Sequence, residues 1–290
     1  MSQRAKGFAY VILSAVVFGL VPLLVQSVNA GGSNAINSAF LRFFLTLLPL
    51  YIILKVRKIP MAITKREALE IILITTCGYG GTTVLLFSAY NFIPTGIATT
   101  IHFVYPVFVI LGSIVFLKQP VSLVKIFCAA LCFGGILCFY GGGETAEIRP
   151  IGLLLAFASG ITYAFYTIYL NQGSIKNMPS MKLIFYMNTV GCVLIFIMAQ
   201  VTGNFTLQLR PSAWVMAVIM ALSISFLGVF FYQKGARVVG SQNAAILSTF
   251  EPITSLVVGV AVYSEAVTLT GILGCILILS SVVITAKMKE

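Results

Sequence analysis

The chain has 290 residues, 59% of them hydrophobic and only 9% charged, with a formal net charge of +11. An ordinary globular chain is about a quarter charged, so this composition excludes a soluble domain and requires lipid as the solvent. The positive excess does not point to nucleic acid, because no basic run is interleaved with aromatic residues.

The apolar runs, such as Ala9–Val28, are continuous and do not alternate every second residue, which favours helices over a barrel. A bilayer core of about 30 Å takes roughly 20 apolar residues per helix. The pattern predicts an all-α integral membrane fold with ten spans: 6–28, 36–54, 68–90, 95–117, 121–140, 151–170, 181–202, 211–233, 241–263 and 267–287. The first span starts with Arg4 and Lys6 like a signal peptide, but its apolar run is too long and Val28-Asn29-Ala30 is a poor cleavage site. It is read as a retained span. Short loops hold the turn residues, among them Gly31-Gly32, Gln119-Pro120, Gly141-Gly142-Gly143 and Arg210-Pro211.

The distribution of charge gives the spans a direction. With ten spans, 15 of the 18 Lys and Arg fall on the face that carries both termini, counting Lys125 and Lys182 at the membrane edge and Lys234 and Arg237 beyond the eighth span. The opposite face has Arg149 and Arg210, and Arg42 lies within a span. Positive residues stay inside, so both termini are expected in the cytoplasm, with the protein in the plasma (inner) membrane.

The six cysteines all fall inside predicted spans, form no CxxC pair and have no histidine near them, so they read as small core residues. No metal site and no cofactor are expected. A Walker loop is missing, and the Gly141–Gly143 run follows no strand, so ATP is not the drive.

The chain repeats itself. At an offset of 146, Thr95 falls on Ser241, Ala98 on Ala244, Pro106 on Pro252 and Gln119 on Glu265; at 145, Gly7 falls on Gly152. Residues 1–145 and 146–290 are thus read as two five-helix repeats. Five is odd, so the halves enter the membrane from opposite sides, as in secondary transporters with a site near the midplane.

These features resemble the EamA-type branch of the drug/metabolite transporter superfamily. The resemblance is carried by Ala39-Phe40-Leu41-Arg42-Phe43, the twice-occurring small-residue helix with a central proline (Ala98–Pro106 and Ala244–Pro252), Ser264-Glu265, and Gly271 and Gly274 in the last span. It departs at Gln119, where the family's repeat has Glu. The resemblance implies ten helices, cytoplasmic termini, and a central cavity between the halves in exporters of amino acids, other metabolites or drugs.

Few ionisable residues lie at membrane depth, and such residues default to functional candidates. Glu251 stands before Pro252, which removes a backbone donor. With Ser248 it forms a polar face that can bind a cationic group or a proton; the alternative is a structural carboxylate paired with Arg42 or Lys234. The single histidine, His102, aligns with Ser248, and Tyr105 with Glu251. His102 can carry a proton or simply pack the helix pair. Arg42 is assigned a structural or pairing role, beside Pro106 and Pro252. Tyr79, Tyr163 and Tyr166 can stack on a planar substrate or hold a cation, or can simply pack.

The expected function is a secondary transporter exporting small organic solutes, such as amino acids or related metabolites, by alternating access. Alternatives are an uncoupled facilitator or a multidrug or cation efflux carrier. From another class, an integral membrane enzyme would need clustered polar or metal-binding residues at one face, and a receptor-like subunit would need sizeable loops; neither is seen. The expected partners are a small-molecule substrate, the lipid bilayer and protons as candidate coupling ions; nucleic acid is not one. Monomer and homodimer both stay open.

Overall fold

The computed structural model describes residues 2–93, 95–120, 122–140, 149–263 and 269–287, and among them the regular structure is helical. The helices are α1 (Gln3–Phe18), α2 (Val21–Ala30), α3 (Ala35–Val56), α4 (Lys65–Ala89), α5 (Thr95–His102), α6 (Tyr105–Leu117), α7 (Leu123–Tyr140), α8 (Pro150–Tyr169), α9 (Ser180–Val201), α10 (Pro211–Val239), α11 (Ser241–Ser248), α12 (Glu251–Tyr263) and α13 (Leu269–Lys287). Seven stretches are long and apolar enough to cross a membrane: Gln3–Ala30, α3, α4, α8, α9, α10 and Ser241–Val262. Shorter apolar helices cover Tyr105–Leu117, Leu123–Cys138 and Leu269–Thr285.

The polarity runs inside out, as lipid demands. Leu48, Val115, Phe116 and Val201 are exposed, whereas Asn37, Arg42, Thr46, Asn188 and Gln233 are buried between helices. In lipid the apolar side chain gains nothing by burial, while a polar one needs a partner, so partners decide which face turns inward.

Sequence expectations need two adjustments. The first span is two helices, because the turn at Gly19–Leu20 separates α1 from α2. A Cβ at Gly19 would lie 2.5 Å from Thr254 Cβ and 2.8 Å from the Glu251 carbonyl, so glycine lets α12 press on this kink. The eighth span continues to Val239, which puts Lys234 and Arg237 inside α10 rather than in a loop. Its end stays helical because Arg237 donates to the Met178 carbonyl (2.6 Å) and Ile175 carbonyl (3.2 Å) and so has a partner there. Glu265 and Gly141–Gly143 lie outside the described residues.

Helix ends repeat with the sequence offset. Thr95, His102, Tyr105 and Leu117 bound α5 and α6, and 146 positions on, Ser241, Ser248, Glu251 and Tyr263 bound α11 and α12. Both rods therefore break at the same place, just before Pro106 and Pro252, each at the second position of a new helix where the lost donor costs nothing. α4 and α10 also match: each carries a π-helical segment, Thr75–Tyr79 and Ala221–Gly228.

The packing respects the same exchange. α1 packs on the end of α10 and α2 on its start; α8 packs on α4, α9 on α3, α11 on α6 and α13 on α7. Every one of these pairs joins one half of the chain to the other. Contacts also assign the ends. Gly7, Ala62, Glu70, Ser174 and Val238 gather at the face that bears the N-terminus. Gly31, Asn34, Ile93, Gly152 and Asn204 gather at the opposite face.

Candidate functional site

A cavity of about 70 Å³ lies where the broken rods cross. Its lining comes from both halves: Phe18, Val21 and Pro22 at the first kink, Arg42 on α3, Tyr79 to Tyr90 on α4, Thr99 and His102 on α5, Tyr105 on α6, Tyr163 on α8 and Glu251 on α12. It lies between the centre and the face opposite the N-terminus, because Val21, Leu86 and Tyr90 belong to that half of their rods.

Arg42 is buried, and its position in α3 follows from its partners. Its Nε donates to Ser225 Oγ (3.0 Å) and its Nη2 to the Tyr79 hydroxyl (2.8 Å). The rings of Phe43, Tyr79 and Phe87 surround the guanidinium, with centroids 5.2, 5.6 and 5.8 Å away. Hydrogen bonds and ring faces together hold a charge at a depth where an unpartnered one costs about 2.5–3.5 kcal/mol on insertion scales. The guanidinium therefore stays between the helices and does not reach for a membrane face. Arg42 makes no ion pair with Glu251; among the described residues the ion pair is Arg66–Glu70 at the N-terminal face.

Glu251 is the first residue of α12, and its carboxylate makes no hydrogen bond or ion pair among the described residues. A helix N-terminus favours a negative group, since its free N–H groups carry partial positive charge. The site thus presents an acidic group with open coordination and a basic one already half engaged.

His102 Nδ1 lies 2.9 Å from Ser159 Oγ, and that hydroxyl also donates to the Ala156 carbonyl (2.6 Å). The serine has one proton, so His102 Nδ1 is the donor and Nε2 is left as an acceptor. α8 can come this close because residue 160 is glycine: a Cβ there would stand 2.9 Å from the His102 carbonyl oxygen.

Tyrosines form the cavity's inner wall. Tyr105 and Tyr163 meet edge to face at 4.7 Å, and Tyr163 lies 5.7 Å from Tyr166 and 5.9 Å from Tyr232. Tyr166 backs this wall without lining the cavity, as does Ser248, whose hydroxyl donates to the Ala244 carbonyl. Of the sequence candidates, the cavity therefore brings together Glu251, His102, Tyr105, Tyr79, Tyr163 and Arg42. Sequence reading missed Phe18, Thr82, Thr83, Phe87 and Tyr90. The repeat held one signal: Phe18 is 145 positions before Tyr163, so the two occupy matching places in the halves.

The doubled break and the doubled π segment follow the repeat in the sequence, and the sequence itself decides the family. The sequence matches the EamA-like transporter family twice, over residues 5–141 and 150–287. The chain belongs to the EamA-like transporter family. It is similar to YvbV of Bacillus subtilis, described as an uncharacterized transporter (27% identical, covering 69% of this chain and 66% of that one). An uncharacterized transporter of Archaeoglobus fulgidus is 24% identical over 96% of this chain and 95% of its own. Mouse solute carrier family 35 member G1 is 23% identical, covering 90% of this chain and 73% of its own. The chain spans just under two thirds of the Bacillus protein and 61% of a Synechocystis one. A solved crystal structure shares the fold with a TM-score of 0.84 at 15% identity, covering 100% of this chain and 99% of that one. The protein is thus a multi-pass membrane protein of the EamA-like transporter family.

Proposed function

We propose that the protein is a secondary exporter of small organic solutes, amino acids or related metabolites, working by alternating access between two inverted five-helix halves. The observation that carries this reading is the cavity at the doubled helix break, where Glu251, which makes no ion pair among the described residues, stands among rings from both halves. The ten-span count is supported by tandem helices. α5 with α6, and α11 with α12, each join end to end into a rod long enough for a bilayer core of about 30 Å. In this reading both termini face the cytoplasm of a plasma (inner) membrane, and the cavity opens outward. Residues 1–145 and 146–290 act as the two moving units, and Glu251 and His102 are the coupling candidates.

Reconstituted proteoliposomes with an imposed pH gradient test it. Wild type should export amino acids in a pH-dependent manner, and Glu251→Gln should abolish that dependence and slow transport about tenfold, the loss of one essential charged contact. An unchanged rate and pH profile in the variant defeats the role of Glu251. A second reading, a cation efflux carrier, is favoured by the same carboxylate beside Phe18, Tyr105 and Tyr163. Under it, lipophilic cations compete with transport and zwitterionic amino acids do not.

A further inference from the structure

The cavity's centre is its own repeat partner, while its periphery is not. Phe18 matches Tyr163 at 145, Tyr105 matches Glu251 at 146, and all four line the cavity. Towards the open side, Val21, Leu86, Phe87 and Tyr90 line it too. Their repeat partners are Tyr166, Tyr232, Gln233 and Ala236, and all four are buried, with exposures of 1%, 1%, 0% and 0%. Phe87 is itself only 2% exposed, so the difference between the halves lies in which residues border the cavity: the first half's four do, and the second half's four do not.

The shut side is held by a short chain of hydrogen bonds. The Tyr232 and Thr167 hydroxyls are 2.7 Å apart, Ser241 Oγ donates to the Thr167 carbonyl (2.8 Å), and Asn171 Nδ2 donates to Ser241 Oγ (3.0 Å). These bonds tie the end of α8 to the joint of α10 and α11 near the N-terminal face. They leave polar atoms stranded. Gln233 Oε1, Asn243 Oδ1 and Arg237 Nε are buried without a partner. A buried polar atom left unpaired is costly, and packed proteins rarely keep several together.

We propose that Tyr166, Tyr232, Gln233 and Ala236 line a second vestibule, opening to the N-terminal face, through which the solute reaches or leaves the central site. The inference rests on the alternating-access reading and gives its second state a lining. The Thr167–Tyr232–Ser241–Asn171 chain is the latch that closes it. When it opens, water or polar groups of the solute satisfy Gln233 and Asn243, and the opposite side closes by the matching approach of Val21 to Tyr90.

Thiol labelling in a cysteine-free background tests this, using a membrane-impermeant maleimide applied to either face of sealed vesicles holding the full chain. The F87C variant should label only from the face opposite the N-terminus, and Q233C only from the N-terminal face. Adding T167V and S241A should raise Q233C labelling and lower F87C labelling by about fivefold each, since weakening one state's contacts shifts the population to the other. A236C serves as a smaller replacement if Q233C does not fold. Labelling of both positions from one face overturns the proposal, as does no labelling of Q233C or A236C while the variant transports. Opposite-face labelling without solute movement upholds the second vestibule and removes the transport reading instead.

Discussion

Tyr79 and Ser225 occupy matching places in the two π-helical segments, 146 positions apart, and Arg42 donates a hydrogen bond to both. One guanidinium therefore ties the two halves at the level of the cavity. A π segment re-aims side chains that a regular helix would turn elsewhere, and both segments do so towards α3.

Removing that tie should be costly. Arg42→Ala strands the Tyr79 and Ser225 hydroxyls and empties space among three rings, so stability should fall by about 2–4 kcal/mol. Arg42→Lys keeps the charge but not the fork, and should recover less than half of that loss. Thermal unfolding in detergent measures both. A lysine variant as stable as the parent sinks the bridging role.

The tyrosine wall should set affinity. Tyr163→Ala removes the ring that meets Tyr105 at 4.7 Å, and half-saturation should rise about tenfold, with Tyr163→Phe near the parent. Uptake titration in proteoliposomes checks the split. If alanine and phenylalanine behave alike, the ring is not in contact with the solute.

Gly160 should tolerate nothing larger. Gly160→Leu places atoms where the His102 carbonyl lies, 2.9 Å from a Cβ, and must push α8 away from the break. Overpacking of this kind costs about 1–3 kcal/mol. Transport should fall with it, because the His102–Ser159 bond spans the same contact. Normal stability with normal transport would show that the close approach is incidental.

A local prediction concerns the start of α4. Thr64 Oγ1 accepts from Glu67 N and the Glu67 carboxylate accepts from Thr64 N, a reciprocal cap. Thr64→Ala should cost about 1 kcal/mol with transport unchanged. A loss of transport without a loss of stability would give this face a role in gating.

The extent to which the site was legible follows from the physics of each residue. Glu251, His102 and Arg42 stood out because ionisable groups at membrane depth are rare. Thr82, Thr83 and Tyr90 did not, because hydroxyls and rings occur throughout such helices and only their neighbours decide whether they face a void. Arg42 and Glu251 were natural partners by charge alone. The fold supplied Tyr79 and Ser225 instead, which reach the guanidinium from α4 and α10.

By itself the sequence determined the solvent, the helical class, the family and the twofold repeat, since each depends on composition or spacing along the chain. Only the tertiary structure decided which side of the crossing is open. Two nearly equivalent halves have the same local preferences, so their asymmetry lies in contacts between helices: a hydrogen-bonded latch around Thr167 and Tyr232 at one end, and a cavity between Val21 and Tyr90 at the other.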